Sequence, residues 1–183
     1  MRLFFSALIE VLEVVLVAVI SVLIIKNFLV QPFLVSGDSM EPNFSNGNYL
    51  LVDEVTYRFR EPERGEVVVF RYPGDNKVFY IKRIIGLPGE TVTVKDNKVM
   101  VLNKSEIMVL SESYIPPTSR TSGEVEYVLD QNHYFVLGDN RLYSFDSRNW
   151  GPLDRGNILG VVRLNLWPLN EVRAIEEPLY NIN

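Results

Sequence analysis

Ser39 is a candidate nucleophile because of the turn that holds it. It lies in the stretch Val35–Pro42 (VSGDSMEP), which contains Gly37. A turn of this kind can expose a hydroxyl and a backbone N–H together, as acyl transfer requires. Serine and glycine are also the usual residues of a purely structural turn. The stretch alone therefore leaves both interpretations open.

Lys82 is a candidate general base. It lies in the apolar run Val78–Ile85, which is typical of a strand, and same-parity residues of a strand share a face. Lys82 would then lie between Tyr80 and Ile84, where loss of hydration lowers a lysine pKa. A base near neutral pH needs a drop of about 3 units from about 10.4, or roughly 4 kcal/mol. The alternative is a charged lysine that protects an edge strand.

A third stretch, Gly138–Pro152 (GDNRLYSFDSRNWGP), is dense in hydrogen-bonding side chains. Such density predicts an ordered loop, because polar side chains there can satisfy the backbone directly. Arg148 can pair with Asp146 or with Asp139 and brace the loop. A structural turn with an ion pair explains the composition equally well.

Composition excludes several classes of function. The net charge of −5 argues against general affinity for nucleic acid. The absence of cysteine excludes a thiol nucleophile and thiolate zinc sites. His133 is the single histidine, and we interpret it as structural because it has no nearby ligand pattern. No metal site and no cofactor are predicted.

The chain after Pro32 reads as an all-β domain over residues 32–175. Short β-rich runs alternate with turn signals, and helical periodicity is weak. The predicted strands are Tyr49–Val52, Glu66–Phe70, Val78–Ile85, Thr91–Val94, Lys98–Leu102, Glu124–Leu129, His133–Leu137 and Ile158–Leu166. Residues of about 95–131 are expected to form a small inserted subdomain.

Residues 1–31 are predicted to be a membrane anchor. Leu, Val, Ile, Phe and Ala dominate this segment, and about 20 apolar residues cross a bilayer. We place the span at roughly residues 8–28, although Glu10, Glu13 and Lys26 then lie within it or near its ends. A cleaved signal peptide is the alternative, but no small-x-small cleavage site follows. The early Arg2 favours, mildly, a cytoplasmic N-terminus.

Together the three stretches resemble the motifs of bacterial type I signal peptidases, in the compact Gram-positive-like form. Ser36–Pro42 is similar to the nucleophile motif, Tyr80–Glu90 to the lysine motif and Gly138–Arg148 to the downstream motif, in the same order. The resemblance implies an antiparallel β catalytic domain with a small β insertion behind one transmembrane helix. Lysine at position 82 argues against the relatives of the endoplasmic reticulum, which use histidine there.

The resemblance also implies roles for individual residues. Ser39 would be the nucleophile and Lys82 the general base, and Ser144 would hydrogen-bond to the Lys82 amine and orient it. Asp146 and Arg148 would brace the loop. The residues implied to form shallow pockets for small side chains are Phe33, Val35, Met40, Tyr80 and Ile81. Gly37 stands where some members carry a serine that donates to the oxyanion, so the resemblance implies the backbone N–H of Ser39 as one donor and leaves the second donor open.

The implied function is removal of signal peptides from secretory preproteins, after Ala-x-Ala-like sites, outside the plasma membrane of a bacterium. The implied partners are these preproteins and the lipid bilayer, with no nucleic acid. One alternative is a membrane-tethered β-domain that binds exported polypeptides without cutting them. Another is a self-cleaving Ser/Lys repressor, but the apolar segment replaces the DNA-binding domain that a repressor needs.

Overall fold

The computed structural model describes residues 9–21, 30–104, 106–178 and 180. Residues 9–21 form helix α1, whose apolar side chains are largely exposed. The expected membrane span of roughly residues 8–28 lies partly outside the described residues. Within them, no helix combines the length and the apolar character needed to cross a bilayer.

Twelve strands follow within the described part of the chain. They are β1 (Val30–Leu34), β2 (Tyr49–Asp53), β3 (Val67–Tyr72), β4 (Asp75–Gly86), β5 (Thr91–Lys95), β6 (Lys98–Asn103), β7 (Glu106–Val109), β8 (Val125–Val128), β9 (His133–Leu137), β10 (Leu153–Asp154), β11 (Ile158–Trp167) and β12 (Arg173–Ala174). The one-turn helix α2 spans Ser147–Trp150, and 3-10 turns span Thr56–Arg58, Arg155–Asn157 and Leu169–Glu171.

The main sheet has the order β1-β2-β11-β3-β4-β9-β10, with β12 paired to β11. Its ladders are antiparallel, which confirms the mostly antiparallel β prediction. All eight predicted strands are present. The sequence did not predict β1, because Pro32 interrupts it and an apolar segment precedes it. Proline is tolerated there because β1 lies at the edge of the sheet.

A second sheet has the strand order β7-β6-β5-β8. Its strands are inserted in the sequence between β4 and β9 of the main sheet. It begins at Thr91, earlier than the expected start of about residue 95 for the insertion. The reason is a tight hairpin: β5 pairs with β6 across Asp96 and Asn97, whose φ angles are 51° and 60°. Two left-handed residues in sequence suit a two-residue hairpin turn.

Strand β4 separates two hydrophobic clusters beside the site. Its residue Ile84 packs in a cluster with Phe70 and Val136, and Tyr80 covers that cluster's edge. Ile81, of opposite parity, packs instead against a cluster that contains Val35 and Met40. Because side chains alternate along a strand, β4 presents one face to each cluster. Lys82 belongs to the Tyr80 face.

Candidate active site

The turn that carries Ser39 is anchored by buried side chains that follow the serine. Met40 and Phe44 are each 1% exposed, and the Phe44 N–H donates to the Met40 carbonyl at 3.0 Å. Gly37 has a φ of +100°, and its N–H donates to Asn46 Oδ1 at 3.1 Å. A side chain at position 37 would be strained in this conformation. The turn thus fixes Ser39 at a defined place above the core.

Lys82 reaches Ser39 directly. The Lys82 Nζ lies 2.6 Å from Ser39 Oγ, and it also donates to the carbonyl of Ile81 at 2.9 Å. The Lys82 residue is 3% exposed, and the Tyr80 ring lies 5.3 Å from its Nζ. The two side chains are 43 residues apart in sequence and meet because β4 passes beneath the serine turn.

Burial lowers the pKa of Lys82 to about 8, and the negative charges of Asp146 and Asp139 partly oppose this effect. Burial disfavours the ammonium form, because it removes most of the hydration that would stabilise the charge. A substantial fraction of the amine is therefore neutral near pH 8. In that form the nitrogen can accept the proton of the Ser39 hydroxyl.

Asn140 holds the nucleophile turn from the other side. Its backbone N–H donates to the Ser39 carbonyl at 3.0 Å, and its side-chain amide donates to the Asp38 carbonyl at 3.0 Å. Asn140 belongs to the downstream motif, but the sequence predicted no role for it. Asparagine in a polar loop was the available signal, but a partner about 100 residues away cannot be read from one sequence.

Asp146 is the centre of the loop and is fully buried. It accepts hydrogen bonds from the Gly138 N–H at 3.1 Å and from Arg148 Nε and Nη2, each at 2.8 Å. It also caps α2 in a capping box with Asn149. The two pairings left open by the sequence are thereby distinguished: Asp146 pairs with Arg148, whereas Asp139 pairs with Arg83 at 2.6 Å.

Arg141 connects the segment between β7 and β8 to this loop by hydrogen bonds. Its buried guanidinium donates to the Gly138 carbonyl at 2.9 Å, to Glu112 Oε2 at 2.7 Å and to Thr121 Oγ1 at 2.8 Å. Arg148 adds a hydrogen bond to the Ser122 carbonyl at 3.0 Å. The excursion between β7 and β8 is therefore fastened to the loop beside Ser39.

Ser144 lies in the expected neighbourhood but without the expected contact. Its Oγ is buried and has no hydrogen-bond partner within the part of the chain that the structure describes. The predicted hydrogen bond to Lys82 is thus not formed in this structure, and the Ile81 carbonyl accepts from the amine instead. A Cβ placed on Gly138 would collide with both Ser144 Oγ and the Ser39 carbonyl oxygen. The absence of a side chain at position 138 allows these groups to approach.

A trough of about 320 Å³ contains Ser39 and Lys82. Four of the five predicted pocket residues line it, namely Phe33, Val35, Tyr80 and Ile81. The fifth, Met40, is buried beneath the trough rather than in its wall. Phe79, Tyr143 and Phe145 also line the trough, although the sequence did not single them out. His133 lies apart from it and contacts Asp130 at 2.6 Å.

Replacing Asp146 by asparagine is expected to lower both stability and the pKa of Lys82. Loss of the carboxylate leaves the largely buried Arg148 without its charge partner, which costs about 3 kcal/mol of unfolding free energy. The substitution also removes a negative charge that raises the Lys82 pKa, so this pKa should fall below its value of about 8. Urea unfolding and a pH–activity profile measure the two effects. Asp130→Asn, which removes an exposed carboxylate outside the trough, is the control. An acidic limb that stayed in place or moved upward would contradict the electrostatic role.

Comparison with known proteins identifies the family. Residues 8–167 match the family model described as signal peptidase, peptidase S26. Signal peptidase I V of Bacillus subtilis is 39% identical over 155 residues, covering 80% of this chain and 91% of the relative. The probable signal peptidase I-2 of a Synechocystis species is 39% identical over 175 residues, covering 92% and 77%.

A Bacillus licheniformis signal peptidase I is 35% identical over 182 residues, covering 93% of this chain and 95% of the relative. A crystal structure of a signal peptidase I from Enterococcus faecalis matches with a TM-score of 0.47 at 29% identity, covering 56% of this chain and 97% of that one. The family model and the curated relatives define the class of this protein as a peptidase. This chain belongs to the signal peptidase family, peptidase S26.

Proposed function

We propose that this protein is a membrane-bound serine endopeptidase that removes N-terminal signal peptides from exported preproteins by a Ser/Lys mechanism. The observation that carries the proposal is the 2.6 Å approach of Lys82 Nζ to Ser39 Oγ in a buried setting. Family membership supports peptidase chemistry. The neutral amine supplies a base in the place where many serine hydrolases use histidine.

The reaction begins when the neutral Lys82 amine accepts the Ser39 proton and Ser39 Oγ attacks the scissile carbonyl. The Ser39 N–H donates to the oxyanion that forms. Lys82 then gives its proton to the departing amine, which leaves an acyl-enzyme on Ser39. Lys82 then deprotonates a water molecule, which attacks the acyl carbonyl. As the bond from Ser39 Oγ to the acyl group breaks, Lys82 returns that proton to Ser39 Oγ. Ser144 would stabilise the reoriented amine, since its hydroxyl is buried and finds no hydrogen-bond partner among the described residues.

The substrate is proposed to bind as an added strand. β4 pairs with β3 along one side. Among the residues that the structure describes, its pairing with β9 begins only at Arg83, so residues 75–82 have an edge without a strand partner there. Backbone groups of an extended peptide can pair with such an edge. The wall at Phe33, Val35 and Ile81 would then accept the small side chains of an Ala-x-Ala site.

We place the protein in the plasma membrane of a bacterium, with the catalytic domain on the extracytoplasmic side. The support is the apolar composition of residues 3–30, a segment that leads into β1. An anchor there would hold the Ser39 turn near the lipid surface, where an exported signal peptide is still embedded.

The test is cleavage of a preprotein that carries an Ala-x-Ala site, using detergent-solubilised full-length protein. Mass spectrometry should find a single cut directly after the second alanine. Replacing that alanine by leucine should lower the rate at least about a hundredfold, since a shallow pocket cannot hold the larger side chain. Binding of the preprotein without any cut would instead favour the non-catalytic β-domain.

Activity is expected to rise with pH through about 8, the value to which burial lowers the Lys82 pKa. Below this pH the amine is protonated and cannot accept the serine proton, so kcat/KM should fall about tenfold per pH unit. A profile between pH 5.5 and 10 measures the limb. A limb centred below pH 6 would point to a carboxylate or histidine base.

A further inference from the structure

The trough has a second, aromatic wall. Phe145 contacts Tyr72 edge-on at 6.0 Å, and Tyr72 stacks on Tyr80 with ring centroids 4.8 Å apart. The ring centroids of Tyr72 and Trp150 are 6.2 Å apart, and those of Trp150 and the core residue Phe70 are 5.9 Å apart. These rings connect the core to the rim of the trough beside Lys82.

The outer part of this wall is unusually exposed for aromatic residues on an ordered loop. Tyr143 is 78% exposed and Phe145 is 49% exposed, and both line the trough with Ser39 and Lys82. The loop is held by the buried Asp146–Arg148 pair directly after Phe145. Exposed aromatic rings on a rigid segment are pre-organised for contact, because little conformational entropy remains to be lost on binding.

The two walls belong to opposite faces of β4. Phe79 and Ile81 lie on the side of Phe33, which contacts Phe79 at 5.7 Å. Tyr80 and Lys82 lie on the side of Tyr72 and Phe145. A peptide strand added to the open edge of β4 has the same alternation, so neighbouring substrate side chains point to different walls.

We propose that Tyr143 and Phe145 form a specificity subsite for a large apolar or aromatic side chain at the second-to-last residue of the signal peptide. The last and third-to-last residues, which are small, face the Phe33 and Ile81 wall. The residue between them faces the aromatic wall. This inference rests on the proposed function, because it requires an extended substrate cleaved at Ser39.

The experiment measures kcat/KM for a series of preproteins that differ only at the middle residue of an Ala-x-Ala site. The residue x is phenylalanine, leucine, alanine or aspartate. Wild-type protein is compared with Phe145→Ala, Tyr143→Ala and the control Phe59→Ala, which removes an aromatic ring that is 84% exposed and outside the trough. All proteins are assayed in the same detergent.

Wild type should prefer phenylalanine over alanine at x by about tenfold, the scale on which an apolar contact discriminates. Phe145→Ala and Tyr143→Ala should each reduce the preference to about threefold or less, because kcat/KM falls more for the phenylalanine substrate than for the alanine substrate. Phe59→Ala should keep the full preference.

Three results would overturn the subsite. The first is a wild-type rate that does not depend on x. The second is an equal loss for all four substrates in Phe145→Ala and Tyr143→Ala, which would indicate a disturbed Ser144 or Lys82. The third is weaker binding of the Tyr143→Ala protein to phosphatidylglycerol vesicles with an unchanged preference, which would make the rim a lipid contact. If wild type cuts none of the four substrates, the proposed function itself fails.

Discussion

Replacing Lys82 by methionine will lower kcat/KM about ten-thousand-fold or more while leaving the protein folded. Methionine has a similar length and fills the same space, but it cannot accept the proton of Ser39, which lies 2.6 Å from the amine. Losses of this size are typical when one member of a nucleophile–base pair is removed. Ser39→Ala should cause a similar loss, and the double variant should lose little more because the two residues act as a unit.

The same substitution should stabilise the fold at low pH. In the folded protein the Lys82 pKa is lowered to about 8, whereas the unfolded value is about 10.4. The unfolded chain thus binds more protons between these values, and the cost of burying the lysine grows as pH falls through this window. Below about pH 8 the full cost applies, about 3 kcal/mol. Lys82→Met removes it.

Urea unfolding of both proteins at pH 6.5 and at pH 10.5 separates these effects. Lys82→Met should exceed wild type in unfolding free energy at pH 6.5, and its advantage should shrink toward zero at pH 10.5. Lys77→Met is the matched control, because Lys77 is an exposed lysine on the same strand. An equal stability difference at both pH values would show that the Lys82 pKa is not lowered by folding.

Replacing Gly138 by alanine will lower kcat/KM by about a hundredfold to a thousandfold. The added methyl group would overlap Ser144 Oγ and the Ser39 carbonyl oxygen. The carbonyl oxygen belongs to the backbone, so it cannot move aside as the end of a long flexible side chain could. The nucleophile turn must therefore move away from Lys82. A displacement of about 1 Å is enough for a loss of this order, because proton transfer depends on the alignment of the two atoms.

A matched control distinguishes displacement from general destabilisation. At Gly86 an added Cβ would meet Val92, Leu129 and Phe135, which belong to the core beside the second sheet. Gly86→Ala should lower the melting temperature but keep kcat/KM of the folded protein within about threefold. In Gly138→Ala/Ser144→Ala, activity should recover at most in part, since the clash with the Ser39 carbonyl remains and the hydroxyl proposed to stabilise the Lys82 amine is lost. Full activity in Gly138→Ala would show that the turn can move without cost.

The strands and the pair of Ser39 and Lys82 could be anticipated because their signals are local or are carried by motifs. Alternation within Val78–Ile85 was enough to place Lys82 beside Tyr80. The membrane anchor remains a proposal from composition, because much of that segment lies outside the described residues.

The partners of each side chain could not be anticipated, because they depend on where distant loops meet. Nothing in the sequence indicated that Ile81 rather than Ser144 accepts from the Lys82 amine, or that Asp139 pairs with Arg83. The aromatic wall could not be predicted for the same reason, since Tyr72 and Phe145 are far apart in sequence and meet only in the folded protein.

The second sheet has a consequence for how the length of such a chain can vary. Its two ends are neighbours, because Gly86 pairs with Phe135 across β4 and β9. Residues added at the Asp96–Asn97 hairpin would extend outward without parting those ends. Residues added between Glu112 and Ser122 would instead pull on Arg141 and Arg148, and through them on the loop beside Ser39. The hairpin can therefore accept inserted residues without disturbing the site. The segment between β7 and β8 cannot, because its hydrogen bonds to Arg141 and Arg148 help to position the loop beside Ser39.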